Sequence, residues 1–378
     1  MDITDRATKV RNGEELETKA VEEFLKDNIK GLEGTFDIAQ FPSGFSNLTY
    51  MIRVGERKFV LRRPPFGTKA KSAHDMSREY HILSALHPVF PYAPKPFVYT
   101  QDTSIMGCPF YVMEHIQGII LRKDLPRGLE MSPDDARRLC ENLIDLHFEL
   151  HSIDYKEVGL EDFGRPEGYV KRQVDGWSRR YLASRTEDAP DFELIMEWLD
   201  KKIPQERARP SIIHNDYKLD NLVLEPENPL RIIGILDWEM ATIGDPLMDL
   251  GSSLAYWVQK DDPEEFQSIR LMPTNIPGAL TREELVARYS EQSGISIHNF
   301  DFYFCFGLFR LAVIAQQIYY RYYHGQTRDK RFKTLIFAVQ NLEKIATRVI
   351  EHKRFKTLIF AVQNLEKIAT RVIEHSHM

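Results

Sequence analysis

Four polar side chains in one stretch of the sequence carry the groups that a phosphoryl transfer needs. Within IIHNDYKLDNLVLEPENPLRIIGILDWE, His214, Asp216 and Asn221 fall on one short loop, and Asp237 follows the apolar run IIGIL. The residues between Asn221 and Asp237 are enough for a β-hairpin that folds Asp237 back against the loop. Transfer from ATP to a hydroxyl requires one carboxylate to accept the proton of the attacking group. A second carboxylate and an amide oxygen must hold Mg²⁺ on the phosphates. In that scheme Asp216 is the base, Asn221 and Asp237 are metal ligands, and His214 braces the loop. The remaining catalysis is positioning and charge neutralisation, which few residues supply if they are rigidly placed. Apolar and β-branched neighbours (Ile212, Ile213, Leu222, Val223, Leu224) provide that rigidity. H-x-D-x-x-x-x-N alone is a weak signal, and the strand and LDWE that follow give it weight.

The elements that would hold these groups begin with an amphipathic helix over Glu14–Ile29, with Leu16, Ala20 and Phe24 on one face. Strand-like segments FDIAQF, NLTYMIRV and RKFVLRR follow, the last two joined by a tight hairpin at Gly55-Glu56-Arg57. The loop Pro42–Asn47 is small and polar, so backbone N–H groups beside Ser46 and Asn47 are free for phosphate oxygens, although an ordinary turn reads equally well. Its position, two strands before the basic strand end at Arg62, favours the phosphate reading. From Ser132 onward helices dominate, opening with an N-cap serine, Pro133 at the first helical position and acids in the first turn. His147 and His151 share metal-ligand spacing on that helix, but no H-E-x-x-H accompanies them, and packed core histidines are expected. Tyr169–Arg185 forms a basic, aromatic helix (Lys171, Arg172, Trp177, Arg179, Arg180) that is either solvated or faces an anionic substrate tail.

Composition sets the frame. The chain of 378 residues is 43% hydrophobic with net charge −6, an ordinary globular balance that argues against a general nucleic-acid binder. Three scattered cysteines (Cys108, Cys140, Cys305) suit a reducing cytoplasm rather than a disulfide framework. The first residues are polar, with no signal-peptide pattern. The apolar stretch Phe302–Tyr320 contains Arg310, Gln316 and Gln317, and reads as a buried helix, not a membrane span.

These motifs resemble the aminoglycoside phosphotransferase and choline kinase family, relatives of protein kinases, over about Phe36–Thr327. The likeness is greatest to phosphotransferase domains fused to or encoded beside acyl-CoA dehydrogenases. The resemblance implies an α+β, bilobal protein-kinase-like fold: a small antiparallel-sheet N-lobe over 1–116, and a mostly helical C-lobe over 117–352. It implies ATP and Mg²⁺ as cofactors and a small-molecule hydroxyl as acceptor, with no nucleic acid and no membrane; a homodimer is left open. Arg62 then takes the place of the usual phosphate-binding lysine, keeping the charge in a different shape, with Glu79 as its helix partner. The segment after PFYVMEHIQG becomes a hinge whose backbone, from Glu114 to Ile116, meets adenine. Lys218 matches a position near the transferred phosphoryl group, unless it is merely solvent-facing. Gly244-Asp245-Pro246 with Asp249 matches a motif in which Asp249 holds the catalytic loop. Suggested acceptors for such domains are hydroxyacyl-CoA thioesters. An aminoglycoside- or choline-type kinase, or a nucleotide-binding pseudokinase, are the alternatives. A protein kinase is disfavoured because no A-P-E-like segment follows Asp237.

The sequence KRFKTLIFAVQNLEKIATRVIEH occurs twice, at 330–352 and 353–375. At about 100° per residue, the second apolar stripe is rotated by roughly 140° from the first, so one continuous helix cannot bury both against one core. The segment 353–378 reads as an engineered or accidental duplication with no functional content.

Overall fold

A computed structural model describes residues 3–42, 47–66, 75–204, 209–297 and 300–352. Helix α1 (Thr18–Asn28) precedes strands β1 (Phe36–Gln40), β2 (Leu48–Val54) and β3 (Arg57–Arg63). Helix α2 (Met76–Leu86), β4 (Pro96–Thr100) and β5 (Phe110–Glu114) complete the first region. The five strands form one antiparallel sheet in the order β1-β2-β3-β5-β4. Its two faces follow from side-chain alternation. Tyr50, Ile52, Phe59, Leu61 and Val112 point to one face and pack on Val21 and Leu25 of α1 and on Ile29 just after it. Val60, Tyr111 and Met113 point to the other, toward Ile82 and Leu83 of α2. Arg62 shares the face of Val60, and that places its guanidinium under α2.

The turn between β2 and β3 has Gly55 at φ +56, and a Cβ there would lie 2.6 Å from the Glu33 carbonyl oxygen, so glycine is required. The N-terminal helix departs from expectation. It starts at Thr18, not Glu14, and its buried face is Val21 and Leu25, with Leu16 and Phe24 only half-buried. Sheet packing selected the stripe one position along from the one read by periodicity.

The helical region comprises α3 (Pro133–Ser152), α4 (Tyr169–Ser184) and α5 (Glu193–Lys201) before two short strand pairs. These pairs are built from β6 (Ser211–Ile213), β7 (Leu222–Leu224), β8 (Ile232–Ile235) and β9 (Thr242–Gly244). Helices α6 (Pro246–Leu254), α7 (Glu264–Gln267), α8 (Arg282–Ser293), α9 (Phe300–Tyr323) and α10 (Leu335–His352) follow. Ser132 Oγ accepts from the Asp135 N–H, the expected cap of α3. Helix α9 is long and apolar enough to cross a membrane, yet 78% of its most apolar window is buried inside the protein. It crosses α6 where Gly251 meets Gly307; a Cβ on Gly251 would lie 2.3 Å from the Tyr303 carbonyl oxygen, and one on Gly307 2.2 Å from that of Gly251. That close approach brings the next turn of α9 against the loop after β6. In the first copy of the repeated sequence, Ile336, Val339, Leu342, Ala346 and Val349 are buried, while Phe332 lies in the turn before α10 and is half-buried. The second copy lies outside the described residues.

Candidate active site

Two strand pairs bracket the polar loops. Ile213 pairs with Thr242, and Leu222 pairs with Ile235, so the loops 214–221 and 236–241 leave adjacent strands and lie side by side. The Leu236 N–H donates to the Asn221 carbonyl at 2.8 Å, which ties them together. This is how Asp216 and Asp237 converge from a distance in sequence.

The first loop is braced from within. His214 is fully buried; its Nε2 donates to the Leu236 carbonyl (3.0 Å), and its Nδ1 accepts from the Asp216 N–H (3.2 Å). These partners fix one neutral tautomer, and burial lowers the imidazole's pKa, so His214 stays uncharged. The Trp238 ring packs against it at 4.7 Å. Asn215 and Asp237 both adopt left-handed backbone, φ 63 and φ 67. Asn and Asp tolerate that conformation better than other side chains.

Asp249 holds the same loop from below. Its Oδ2 accepts from the His214 N–H (2.8 Å) and from Nε2 of both His147 and His151 (3.1 Å each), while Oδ1 accepts from the Asn215 N–H (2.7 Å). Burial disfavours its charge, but these donors outweigh that penalty and hold the carboxyl well below its usual range. His151 Nδ1 accepts from the Tyr289 hydroxyl at 2.7 Å. His147 and His151 are therefore packed histidines bound to a carboxylate, as their surroundings in the sequence indicated. With Asp249 they could in principle meet one ion, but both Nε2–H groups already point at its carboxylate.

The acidic groups facing the cleft are arranged differently. Asn221 Nδ2 donates to both the Asp216 carbonyl (2.8 Å) and its Oδ2 (2.9 Å), leaving Oδ1 as the polar atom available to a ligand. Lys218 Nζ lies 3.0 Å from Asp216 Oδ2 and 3.7 Å from Asp220, with its ammonium 4.7 Å from the Tyr256 ring centroid, so it is not solvent-facing. Arg62 bridges the two regions. Nη1 is 2.8 Å from Glu79 and Nη2 is 2.9 Å from Asp237 Oδ1 and 3.7 Å from Glu239. Burial pushes the Glu79 carboxyl up and Arg62 offsets part of this. A guanidinium keeps its proton in proteins, so the positive charge of the pair is permanent. Burial acts in the same direction on Asp237, but Arg62 prevails and its pKa is lowered.

Glu239 was missed by the motif reading, although it stands two positions after Asp237 in LDWE. Besides its contact with Arg62, it accepts from Asn47 Nδ2 at 2.8 Å, so Asn47 does reach the cleft. Ser46 lies outside the described residues. The Glu114 N–H donates to the Lys95 carbonyl and is therefore occupied within the fold, and Ile116 packs on Gly234. Two members of the expected basic face of α4 are already engaged: Lys171 pairs with Asp175 and Asp200, and Arg172 donates to the carbonyls of Arg165 and Glu167.

The donor set fits the groups the fold implies. Asn221 Oδ1 and the carboxylates of Asp237 and Glu239 are hard oxygen ligands of the kind Mg²⁺ takes. Arg62 Nε is buried with no hydrogen-bond partner among the described residues, a donor that a phosphate oxygen would satisfy.

The chain is similar to known proteins in sequence and in fold. The human acyl-CoA dehydrogenase family member 11 is 36% identical over 322 residues, covering 83% of this chain, which spans only 40% of that protein. A solved structure from Ralstonia eutropha JMP134, whose assignment as an aminoglycoside phosphotransferase is provisional, superimposes with TM-score 0.75 at 29% identity. It covers 89% of this chain and 99% of its own. Choline kinase from Cryptosporidium parvum shares the fold at TM-score 0.59 and 14% identity, over 89% of this chain and 96% of its own. The kinase-like, two-region architecture is thus that of these neighbours. The family model of the phosphotransferase enzymes matches residues 37–273, and the chain belongs to the phosphotransferase enzyme family.

Proposed function

We propose that this phosphotransferase moves the γ-phosphoryl group of ATP to a hydroxyl of a small molecule, and that the acceptor is a hydroxyacyl-CoA thioester. The observation that carries the reaction class is the convergence of Asp216, Asn221 and Asp237 on two adjacent loops, with Arg62 joining Glu79 to Asp237. Asp216 takes the proton of the acceptor hydroxyl. The freed oxygen forms a bond to Pγ as the bond from Pγ to the bridging oxygen breaks, and the electron pair leaves on ADP. Arg62 and Lys218 supply positive charge where the transferred group gathers negative charge. Asn221, Asp237 and Glu239 would hold Mg²⁺, whose role is to neutralise phosphate charge. Glu79 orients Arg62 and takes no part in bond making.

The thioester reading rests on the acyl-CoA dehydrogenase family relative, within which a chain of this kind forms a minor part. A phosphotransferase physically joined to a dehydrogenase of acyl-CoA thioesters would act on the same carrier-bound chain. The test is ADP release and ³¹P detection of a phosphomonoester across hydroxyacyl-CoA, aminoglycoside and choline acceptors. Turnover confined to the thioester is expected. A preference for the cationic acceptors overturns the acceptor assignment, and ADP release with none of them overturns it as well.

A further inference from the structure

Two guanidinium groups near the proposed base, those of Arg310 and Arg180, have no carboxylate partner among the described residues. Arg310 on α9 is 3% exposed, and its guanidinium has no acidic oxygen within 4.0 Å among the described residues. Its Nη2 donates to the Asn215 carbonyl at 2.7 Å, one residue from Asp216. The same nitrogen lies 3.3 Å from the Met240 sulfur. Arg62 and Arg282 are buried comparably, and each is paired with a carboxylate, at 2.8 Å to Glu79 and 2.6 Å to Asp262. A buried charge without such a pair is costly, so Arg310 calls for a partner from elsewhere.

A second guanidinium repeats the pattern. Arg180 on α4 sits 4.6 Å from the centroid of Trp177, and Arg310 lies 5.3 Å from the same ring, so two cations share one indole. Cation–π contact stabilises each modestly but leaves the summed charge in place. Arg180 is exposed, whereas Arg310 is covered by Met240, itself 36% exposed in the turn after Asp237. A thioether is a weak acceptor on a flexible, surface-reaching side chain. An oxygen anion would bond the guanidinium more strongly and displace it.

We propose that Arg310, Arg180 and the Trp177 ring between them form a subsite for an oxyanion carried by the acceptor, with Met240 as its displaceable cover. The subsite takes a carboxylate or phosphate group, and it orients the acceptor so that the hydroxyl meets Asp216. It rests on the reading that an acceptor hydroxyl binds beside Asp216. It also replaces the N-terminal half of α4 as the basic surface, since Lys171 and Arg172 are occupied by other groups.

The experiment uses the full chain with its nucleotide site filled by a nonhydrolysable Mg·ATP analogue. Titration calorimetry then measures binding of coenzyme A, a free hydroxycarboxylate and a neutral alcohol of the same chain length. Arg180→Gln should weaken the anionic probes by roughly tenfold, as loss of one charge-assisted contact implies, and leave the neutral alcohol unaffected. Met240→Ala should tighten the anions. Arg310→Lys, checked for folding by circular dichroism, should retain charge but lose part of the gain. Which anion competes distinguishes a carboxylate near the hydroxyl from the phosphates of the coenzyme. Unchanged anion affinity in Arg180→Gln and folded Arg310→Lys overturns the subsite, as does equal weakening for the neutral alcohol. If the anions bind and lose affinity in Arg180→Gln while no acceptor is phosphorylated, the subsite stands and the proposed reaction fails.

Discussion

Two acidic centres of this protein, Asp249 in the interior and Asp237 at the cleft, face opposite demands. Asp249 has all its neighbours inside the fold: two backbone N–H groups and two imidazoles, with no solvent exposure. Asp237 has one cation, Arg62, and keeps about a third of its side chain exposed at 35%. A carboxylate whose every acceptor position is filled by protein donors is scaffold. One held by a single shared cation on a left-handed backbone can exchange that partner for another charge. The difference lies in completeness of pairing, not in residue type.

The largest expected effect sharpens the open side of that contrast. Asp216→Asn should lower kcat by roughly 10²–10⁴-fold, the range of a positioned base, while nucleotide affinity stays near wild type because the base faces the acceptor. A variant retaining more than about a tenth of kcat removes Asp216 from that role. On the closed side, Asp249→Ala leaves two imidazoles and two loop N–H groups without their acceptor. The stability loss should be roughly 3–5 kcal/mol, as for breaking one side of a buried charge pair, measured by urea unfolding. A loss under about 1 kcal/mol would mean that water replaces the carboxylate.

Asp237→Ala should do the reverse of Asp249→Ala. Stability should change by about 1 kcal/mol or less, since the pair is partly exposed, while affinity for Mg·ATP falls and metal-free nucleotide binding hardly moves. Equal Mg·ATP affinity in both proteins takes Asp237 out of the metal set.

A pH measurement probes the closed centre more gently. Burial, assisted by His151 and opposed by Asp249, pushes His147 from 6.5 down to about 4. Its folded pKa lies below the unfolded value, so between the two the unfolded chain binds the extra proton. Its contribution to stability is complete above about pH 6.5 and is lost as pH falls toward about 4, by roughly 1 kcal/mol per unit within that window. Asp249, whose pKa is depressed, likewise loses its contribution as pH falls further. His147→Gln should flatten the decline between pH 6.5 and 5; a slope identical to wild type would show that His147 is not held neutral. The smallest effect is expected from truncation after His352, because the first copy of the repeat already packs α10 on α9. Activity and melting temperature should be unchanged, and unfolding on truncation would assign the second copy a structural part.

Much of this was legible because it is local. Residue spacing alone proposed the loop 214–221, the hairpin leading to Asp237, the Gly55 turn and the Ser132 cap, since each depends on backbone geometry within a few residues. The contact of Arg62 with Glu79 was implied by the family resemblance and not by periodicity, since Arg62 and its neighbour Arg63 are both buried at the end of β3. The neutralisation of Lys171 was half-readable: Asp175 stands four residues on in the same helix, whereas Asp200 comes from α5. Glu239 was readable in LDWE but had no distinguishing spacing.

The sequence by itself determined the order of acidic groups along the chain and, through its short-range motifs, the family, and the resemblance to that family implied the fold class. Only tertiary structure decided which charges are satisfied. Asp249 is closed because α3 and the loop after β6 converge on α6, and Arg310 donates to the Asn215 carbonyl with no carboxylate partner among the described residues because Gly251 and Gly307 let α9 approach that loop. Pairing of buried charges depends on distances of a few ångströms between elements far apart in sequence. No local pattern records those distances.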